Sequence, residues 1–162
     1  MKGIAEFEEF ARARVGPLYR TAWLLCGDRH HAEDLVQETL ANMLKVWGRI
    51  DTPEAYARTA LVRTFVSQRR RKSWSERPTS VVPETSGPGV DVELRVALRG
   101  ALSELAPLDR AVLVLRYFED RSVEQVALDL GKKPSAITTR TARALERLRA
   151  VLGTDATQLI AQ

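Results

Sequence analysis

The most constraining feature of the chain is one short segment, residues 122–149, which carries the signals of two helices joined by a tight turn. Ser122 and Gln125 fit a capping box at the start of the first helix. Gly131 stands where the C-terminus of a helix commonly needs a residue in the left-handed conformation. After a Lys-Lys-Pro sequence, Ser135 is positioned to cap the second helix. This order and spacing predict a helix-turn-helix.

The second helix of this motif is basic on one face. Its apolar positions predict a packed stripe: Ile137, Ala144, Leu148 and Val151. Its outward positions carry hydroxyl and guanidinium groups: Thr138, Thr139, Arg140, Arg143 and Arg147. Such groups suit the phosphates and base edges of a DNA major groove. We therefore expect DNA binding, and a helical hairpin with a solvated basic face is the alternative.

The charge of the chain is unevenly distributed. Its net charge is only +4, and 44% of its 162 residues are apolar, which is typical of a globular protein. Residues 69–72 and 132–149 are basic, whereas residues 28–38 include four acids. Two basic patches and one acidic surface indicate a protein that contacts nucleic acid twice and a different partner once.

The composition argues against an enzyme, a metalloprotein and a secreted protein. The single cysteine, Cys26, excludes an intramolecular disulfide and a cysteine-based zinc site. His30 and His31 are adjacent, so they do not face one metal ion from the same side of a helix. Without a glycine-rich phosphate loop, no catalytic residue, metal or cofactor is expected. The charged start MKGIAEFEEF and the lack of a membrane-spanning segment predict a cytoplasmic protein.

The apolar periodicity is helical throughout and predicts an all-α fold. Residues 75–90, SERPTSVVPETSGPGV, have no helical period and contain turn-forming residues, so they predict a flexible linker. The linker separates two small helical domains, residues 1–74 and residues 91–153, and a short tail follows at 154–162. Each domain is small enough that contact with a large partner is expected to stabilise it.

Three helices are expected in the first domain. The first carries Pro17 in its middle, where proline predicts a kink or a restart. Asp28 is positioned to cap the second helix, which its period extends to about Trp47. Pro53 suits the first position of the third helix, whose apolar stripe includes Tyr56 and which is expected to end in the arginine run.

Three segments of the chain resemble one known family. The sequence EDLVQETLANMLKVW at 33–47 resembles the signature helix of bacterial RNA polymerase sigma factors of the extracytoplasmic-function type, within the sigma-70 superfamily. TPEAYARTALV at 52–62, followed by an arginine run, resembles the next helix of that family, and residues 102–149 resemble its fourth-region helix-turn-helix. The details are most similar to the actinobacterial SigE-like subgroup, and the resemblance covers nearly the whole chain.

The resemblance implies that the second helix binds a large partner. In this family, that helix docks on the clamp helices of the largest subunit of core RNA polymerase. The corresponding polar side chains here are acids and amides: Asp34, Gln37, Glu38 and Asn42. Such groups suit an arginine-rich partner surface. Acids near a helix N-terminus are also favourable in isolation, so both explanations of these residues stay open.

The resemblance also implies that the third helix recognises the −10 promoter element, where a base flipped out of the duplex nucleates strand opening. The candidates for base or sugar contacts are Arg58, Arg63, Thr64, Ser67 and Gln68, and those for phosphates are Arg69, Arg70, Arg71 and Lys72. The family usually has asparagine where this chain has Arg63. The preferred −10 base is therefore an open question, and Arg63 is expected to contact a guanine or a phosphate.

The helix-turn-helix of this family inserts into the −35 element, and its other side rests on the polymerase flap. The corresponding side chains here are Ser135, Ala136, Thr138, Thr139, Arg140, Arg143 and Arg147. Thr138 replaces a common lysine, which removes one cation from this surface. Because many relatives are inhibited by an anti-sigma factor, such a partner is also implied. The alternative function is a stand-alone helix-turn-helix regulator of transcription, against which the acidic stretch of the first domain argues.

Overall fold

The computed structural model describes the backbone of residues 3–71 and 92–153, and the side chains of residues 3–69 and 96–153. The predicted linker, the tail and Lys72 lie outside the described residues. Within those residues the chain forms helices and turns and no strand, so the prediction of an all-α fold is confirmed. The helices belong to two units, Met1–Trp74 and Ser75–Gln162.

Three helices and a short 3-10 turn make up the described part of the first unit: α1 (Ile4–Cys26), α2 (Arg29–Lys45), the turn Trp47–Arg49 and α3 (Pro53–Arg71). Each helix packs on the other two and contributes an apolar stripe to one core. The largest fully buried side chains of this core come from all three helices: Leu25, Leu35, Met43, Leu61 and Phe65. Burial of each contributes about 1.5–3 kcal/mol to folding.

The reversal between α1 and α2 is fixed by two adjacent residues. Gly27 adopts the left-handed conformation with φ 72°, and its N–H donates to the carbonyl of Trp23 at 2.8 Å. Asp28 then accepts a hydrogen bond from the backbone N–H of His31 at 3.2 Å. The predicted cap of the second helix is therefore confirmed.

Helix α1 continues through Pro17, so the helix does not restart there, and the predicted kink stays a prediction. Proline removes one backbone donor, which leaves the carbonyl of Ala13 without its usual partner. Ala13 is exposed, so water can satisfy that carbonyl. Burial of Phe7 before the proline and of Leu18 and Leu25 after it holds both halves against one core.

Helix α3 agrees with its prediction in its described bounds but not in its packed stripe. It extends to Arg71 through most of the arginine run, because arginine and glutamine are good helix formers even where their charges lie close together. Tyr56, predicted to be in the packed stripe, has 43% of its surface exposed. Its position in the first turn of α3 leaves it outside the core that Leu61 and Phe65 fill.

Four helices and one turn of π-helix make up the described part of the second unit: α4 (Val92–Ser103), α5 (Pro107–Leu113), the π turn Val114–Phe118, α6 (Val123–Leu130) and α7 (Pro134–Leu152). Its core buries apolar side chains from each of these elements, including Leu102, Leu113, Leu115, Val126 and Leu148. Arg110 is 6% exposed and donates to the carbonyl of Leu105 at 2.9 Å, which fixes the turn between α4 and α5.

The helices α6 and α7 form the predicted helix-turn-helix. Ser122 and Gln125 make both hydrogen bonds of a capping box, at 3.1 and 2.9 Å. Gly131 ends α6 with φ 65°, and Ile137 is fully buried where the two helices meet. The predicted cap at Ser135 is wrong: α7 begins one residue earlier, at Pro134, because the fixed φ of proline suits the first helical position.

The packed stripe of α7 is shorter than predicted. Ile137, Ala144 and Leu148 are buried, whereas Val151 has 44% of its surface exposed. Val151 stands one residue before the end of the described helix, beyond Leu148, which is the last buried residue of α7. Its prediction as a core residue is therefore wrong.

Candidate nucleic-acid and partner interfaces

One side of α2 presents the acids and amides predicted to bind a partner. The side chains of Asp34, Gln37, Glu38 and Asn42 are exposed, and Leu35 and Met43 are buried on the other side of the helix. The spacings of three and four residues place the polar set along one helical stripe. This surface has the acidic and amide character that the sequence predicts.

A cleft of about 390 Å³ lies between this stripe and the C-terminal part of α3. On the α2 side it is lined by His31, Asp34, Gln37 and Glu38. Asn42 is not part of its lining, because it lies one turn further along α2. We call this feature the α2–α3 cleft.

The opposite wall of the α2–α3 cleft is built by Phe65, Gln68 and Arg69, with Cys26 at its edge. The side-chain amide of Gln68 donates to Glu38 Oε1 at 2.7 Å. The Arg69 guanidinium lies 5.5 Å from the centre of the Phe65 ring and donates to the carbonyl of Cys26 at 3.5 Å. Gln68 and Arg69, which were predicted to contact DNA, therefore contact α2 and α1 instead.

The other predicted −10 residues divide between the sides of α3. Arg63 and Ser67 are exposed, and their spacing of four residues places them on one stripe. Arg58 and Thr64 are half-buried, and the Nε atom of Arg58 is buried. The side chains of Arg70, Arg71 and Lys72 lie outside the described residues.

Most of the predicted −35 residues form one exposed face of α7. Ser135, Thr138, Thr139, Arg143 and Arg147 are exposed, whereas Ala136 is half-buried. The hydroxyls of Thr138 and Thr139 each donate to a carbonyl one turn earlier, at 3.1 Å. Their oxygen atoms keep acceptor capacity toward a base amino group.

Arg140 is held differently from its neighbours on α7. Its Nη1 atom lies 2.8 Å from Asp109 Oδ1 on α5, and the two side chains are 32% and 25% exposed. The pair joins residues 31 positions apart in the sequence. Sequence analysis missed Asp109, because no local pattern marks an ion pair between distant helices.

A second ion pair fixes the first helix of the motif. Arg121 and Asp129 form two hydrogen bonds, at 2.9 and 2.8 Å, and their side chains are 17% and 6% exposed. The hydrogen bonds that Arg121 donates to the Asp129 carboxylate raise the pKa of Arg121 above its ordinary value, against the opposing effect of burial. The pair anchors α6 to the loop that precedes it.

Features of a metal site and of a membrane span are absent from the described residues. These residues contain no group of three or more histidine, cysteine or acidic residues arranged to hold a metal ion. No helix among them is long and apolar enough to cross a membrane.

Family models match both units of the chain. The model described as "Sigma-70 region 2" matches residues 10–75, and the model described as "Sigma-70, region 4" matches residues 95–148. A region 4 helix-turn-helix combined with region 2 defines a class of transcription initiation subunits. The chain belongs to the sigma-70 family of RNA polymerase sigma factors, and its relatives identify the extracytoplasmic-function type.

The relatives include actinobacterial proteins. The RNA polymerase sigma-E factor of Streptomyces coelicolor is 34% identical over 154 residues, which cover 92% of this chain and 87% of the relative. The ECF RNA polymerase sigma factor SigL of Mycobacterium tuberculosis is 33% identical over 148 residues, which cover 83% and 82%. The family predicted from the sequence is confirmed.

A solved structure supports the fold. The sigma factor RpoE from Bartonella quintana, in a co-crystal structure with the anti-sigma factor NepR, matches with a TM-score of 0.75 and 24% identity. The match covers 94% of this chain and 99% of that one.

Proposed function

We propose that this chain binds core RNA polymerase and directs it to promoters by recognising −35 and −10 elements. The observation that carries the proposal is the pair of separate polar faces. The stripe Asp34, Gln37, Glu38 and Asn42 on α2 suits a basic protein surface, and the exposed face of α7 suits a DNA groove. The membership of the chain in the sigma-70 family supports assigning these faces to polymerase and promoter.

The −35 contacts are assigned to α7. Arg143 and Arg147 supply cations that suit phosphates or guanine edges, and Ser135, Thr138 and Thr139 supply hydroxyls. The other side of this unit is expected to rest on the polymerase flap, as the family implies. Because Arg140 is paired with Asp109, its expected role is mainly to orient α7.

The −10 contacts are assigned to the exposed stripe of α3. Arg63 and Ser67 are the described residues that best suit a flipped base or its backbone, because both are exposed on one stripe of α3. Arg70, Arg71 and Lys72 stay candidates for phosphate contacts. The positive guanidinium of Arg63 predicts a base preference different from that of relatives with asparagine.

The proposed mechanism is binding without chemistry by this chain. Contacts to the flipped base offset the loss of stacking, which costs a few kcal/mol per step. Bond formation belongs to the polymerase, and no cofactor is needed here. Since polymerase and chromosome are in the bacterial cytoplasm, the chain is expected to act there. An anti-sigma factor as a regulating partner stays a prediction from the family.

In vitro transcription tests the proposal. Core polymerase is incubated with this chain and genomic DNA, and the 5′ ends of the transcripts are sequenced. We expect new start sites that share −35 and −10 elements and that core polymerase alone does not use. No specific initiation, together with no complex of chain and core on gel filtration, would refute the function. Tight binding to duplex DNA without polymerase would instead favour a stand-alone regulator.

Two variants test the residue assignments. Arg63→Asn should change the preferred −10 base while leaving the −35 consensus unchanged. Arg12→Ala is the matched control, because it removes an exposed cation from α1 that no proposed contact uses. An unchanged −10 consensus in the Arg63 variant would contradict the assignment of that stripe to the flipped base.

A further inference from the structure

The C-terminal part of α3 carries polar residues on two different sides. Gln68 follows the fully buried Leu61 by seven residues, and Arg69 follows Val62 by the same interval. Residues seven apart lie on nearly the same side of a helix, about 20° apart. Gln68 and Arg69 therefore continue the packed side of α3, whereas Arg63 is rotated from Gln68 by about 140°.

The contacts of the two side chains agree with this geometry. Gln68 donates its amide to Glu38 Oε1 at 2.7 Å, across 30 residues of sequence. Arg69 donates to the carbonyl of Cys26, the last residue of α1, where a cation is favourable. A side chain engaged with α2 is poorly placed to reach DNA on the other side of α3.

The choice of a neutral amide has a physical consequence for Glu38. A lysine or arginine at the same position would neutralise the carboxylate on which it acts. The amide of Gln68 instead restricts the rotamers of Glu38 and leaves its negative charge available to a cation. An exposed side chain that is ordered before association loses less entropy when the complex forms.

We propose that Gln68 is a positioning residue for polymerase binding, which holds Glu38 in place for a basic side chain of the polymerase, and that it is not a promoter contact. Arg69 supports the same wall of the α2–α3 cleft by its bond to the end of α1. The inference rests on the proposed function, because it takes the polar stripe of α2 as the polymerase-binding surface.

The test measures the affinity of the full chain for core polymerase in the absence of DNA. Fluorescently labelled chain is titrated with core polymerase, and anisotropy is recorded. Gln68→Ala should weaken binding by about 2- to 10-fold, the range expected when one side chain is no longer ordered before association. In a Glu38→Gln background, Gln68→Ala should have no further effect, because the charge that it positions is already absent.

A charge-changing variant separates positioning from a purely structural role. Gln68→Lys keeps a donor for Glu38 and should leave the thermal midpoint of the first unit unchanged. It should nevertheless weaken polymerase binding and make that binding less dependent on salt, because the carboxylate is now neutralised. Ala13→Lys is the control, since it adds the same charge at an exposed site on α1.

Three results would overturn the inference. Core affinity that is equal for the unmodified chain and Gln68→Ala would show that Gln68 does not act on this surface. A changed −10 consensus with unchanged core affinity would return Gln68 to the promoter. If the unmodified chain itself fails to bind core polymerase, the proposed function fails first and the inference with it. If Gln68→Ala fails to fold, the inference is tested by the polymerase affinity of Gln68→Lys and by the salt dependence of that affinity.

Discussion

Replacing Arg140 by alanine separates the stability of α7 from its contacts with DNA. Arg140 and its neighbour Arg143 are both cations on this helix, but their surroundings differ. The Arg140 guanidinium lies 2.8 Å from Asp109 on α5, whereas the side chain of Arg143 is exposed. Arg140→Ala is therefore expected to destabilise the second unit, and Arg143→Ala is expected to weaken promoter binding.

The magnitude follows from the burial of the ion pair. Exposed ion pairs contribute about 0.2–1 kcal/mol, and hydrogen bonds to charged groups in buried sites contribute about 1.5–3 kcal/mol. The side chains of Arg140 and Asp109 are 32% and 25% exposed, so the pair falls between these classes. We expect Arg140→Ala to lower the free energy of unfolding by about 1 kcal/mol, or about 4–8 °C in Tm for a unit of this size.

The assay uses the placement of the tryptophans. The described tryptophans, Trp23 and Trp47, both belong to the first unit, so their fluorescence reports the unfolding of that unit. Thermal unfolding of the full chain is followed by fluorescence and by far-UV circular dichroism. Arg140→Ala should lower the midpoint temperature of the second unit, whose transition only circular dichroism detects. The fluorescence midpoint should stay unchanged.

Matched variants complete the test. Asp109→Asn should lower stability by a similar amount without removing a cation from α7, and the double variant should be less destabilised than the two single effects added together. Arg143→Ala should change stability by less than about 0.5 kcal/mol and weaken binding to the −35 element by about 5- to 150-fold if it contacts a base. The reasoning would be refuted if Arg140→Ala and Arg143→Ala weakened promoter binding equally and Arg140→Ala left the free energy of unfolding unchanged.

Three further substitutions test the packing and the turn. Asp129→Asn should lower the free energy of unfolding by about 2–4 kcal/mol, because it leaves Arg121 charged without its carboxylate partner. A thermal midpoint by far-UV circular dichroism within about 1 °C of the unmodified chain, a margin of about 0.2 kcal/mol, would contradict this. Phe65→Ala should cost about 3–5 kcal/mol, since Phe65 is 1% exposed, and the loss should be visible in the tryptophan transition. Gly131→Ala should lower the free energy of unfolding by about 1 kcal/mol from its φ of 65° alone, because no atom lies within 4 Å of the added Cβ. Gly100→Ala in α4 is equally unobstructed and should instead raise the free energy of unfolding by about 0.5–1 kcal/mol. Unfolding experiments should therefore show opposite signs for the two variants.

The helix-turn-helix was predictable because its signals are local. Ser122, Gln125 and Gly131 each act on backbone groups within four residues of themselves, so their roles are readable from spacing alone. The same holds for the Asp28 cap. Pro17 misled the prediction, because whether a helix survives a proline depends on the tertiary packing of both halves, which spacing does not contain.

The residues of the candidate site could be predicted from the sequence better than the side of the helix on which each of them lies. The resemblance grouped Arg63, Ser67, Gln68 and Arg69 as one DNA-binding set. The 3.6-residue period already separates Gln68 and Arg69 from Arg63, so this signal was available in the sequence. The partners were not: Glu38 and Asp109 pair with residues 30 and 31 positions away, and such pairs arise from packing between helices.

The separation of recognition between two small units explains why promoter selection should require polymerase. A single helix such as α7 offers a few exposed side chains, and each good base contact is worth about 1–3 kcal/mol. When a large partner fixes the distance between two such units, the second contact becomes intramolecular and the affinities multiply. On the proposed function, residues that orient the polar stripe of α2 are expected to influence promoter choice without touching DNA, because they would determine how firmly the first unit is held while α3 engages its base.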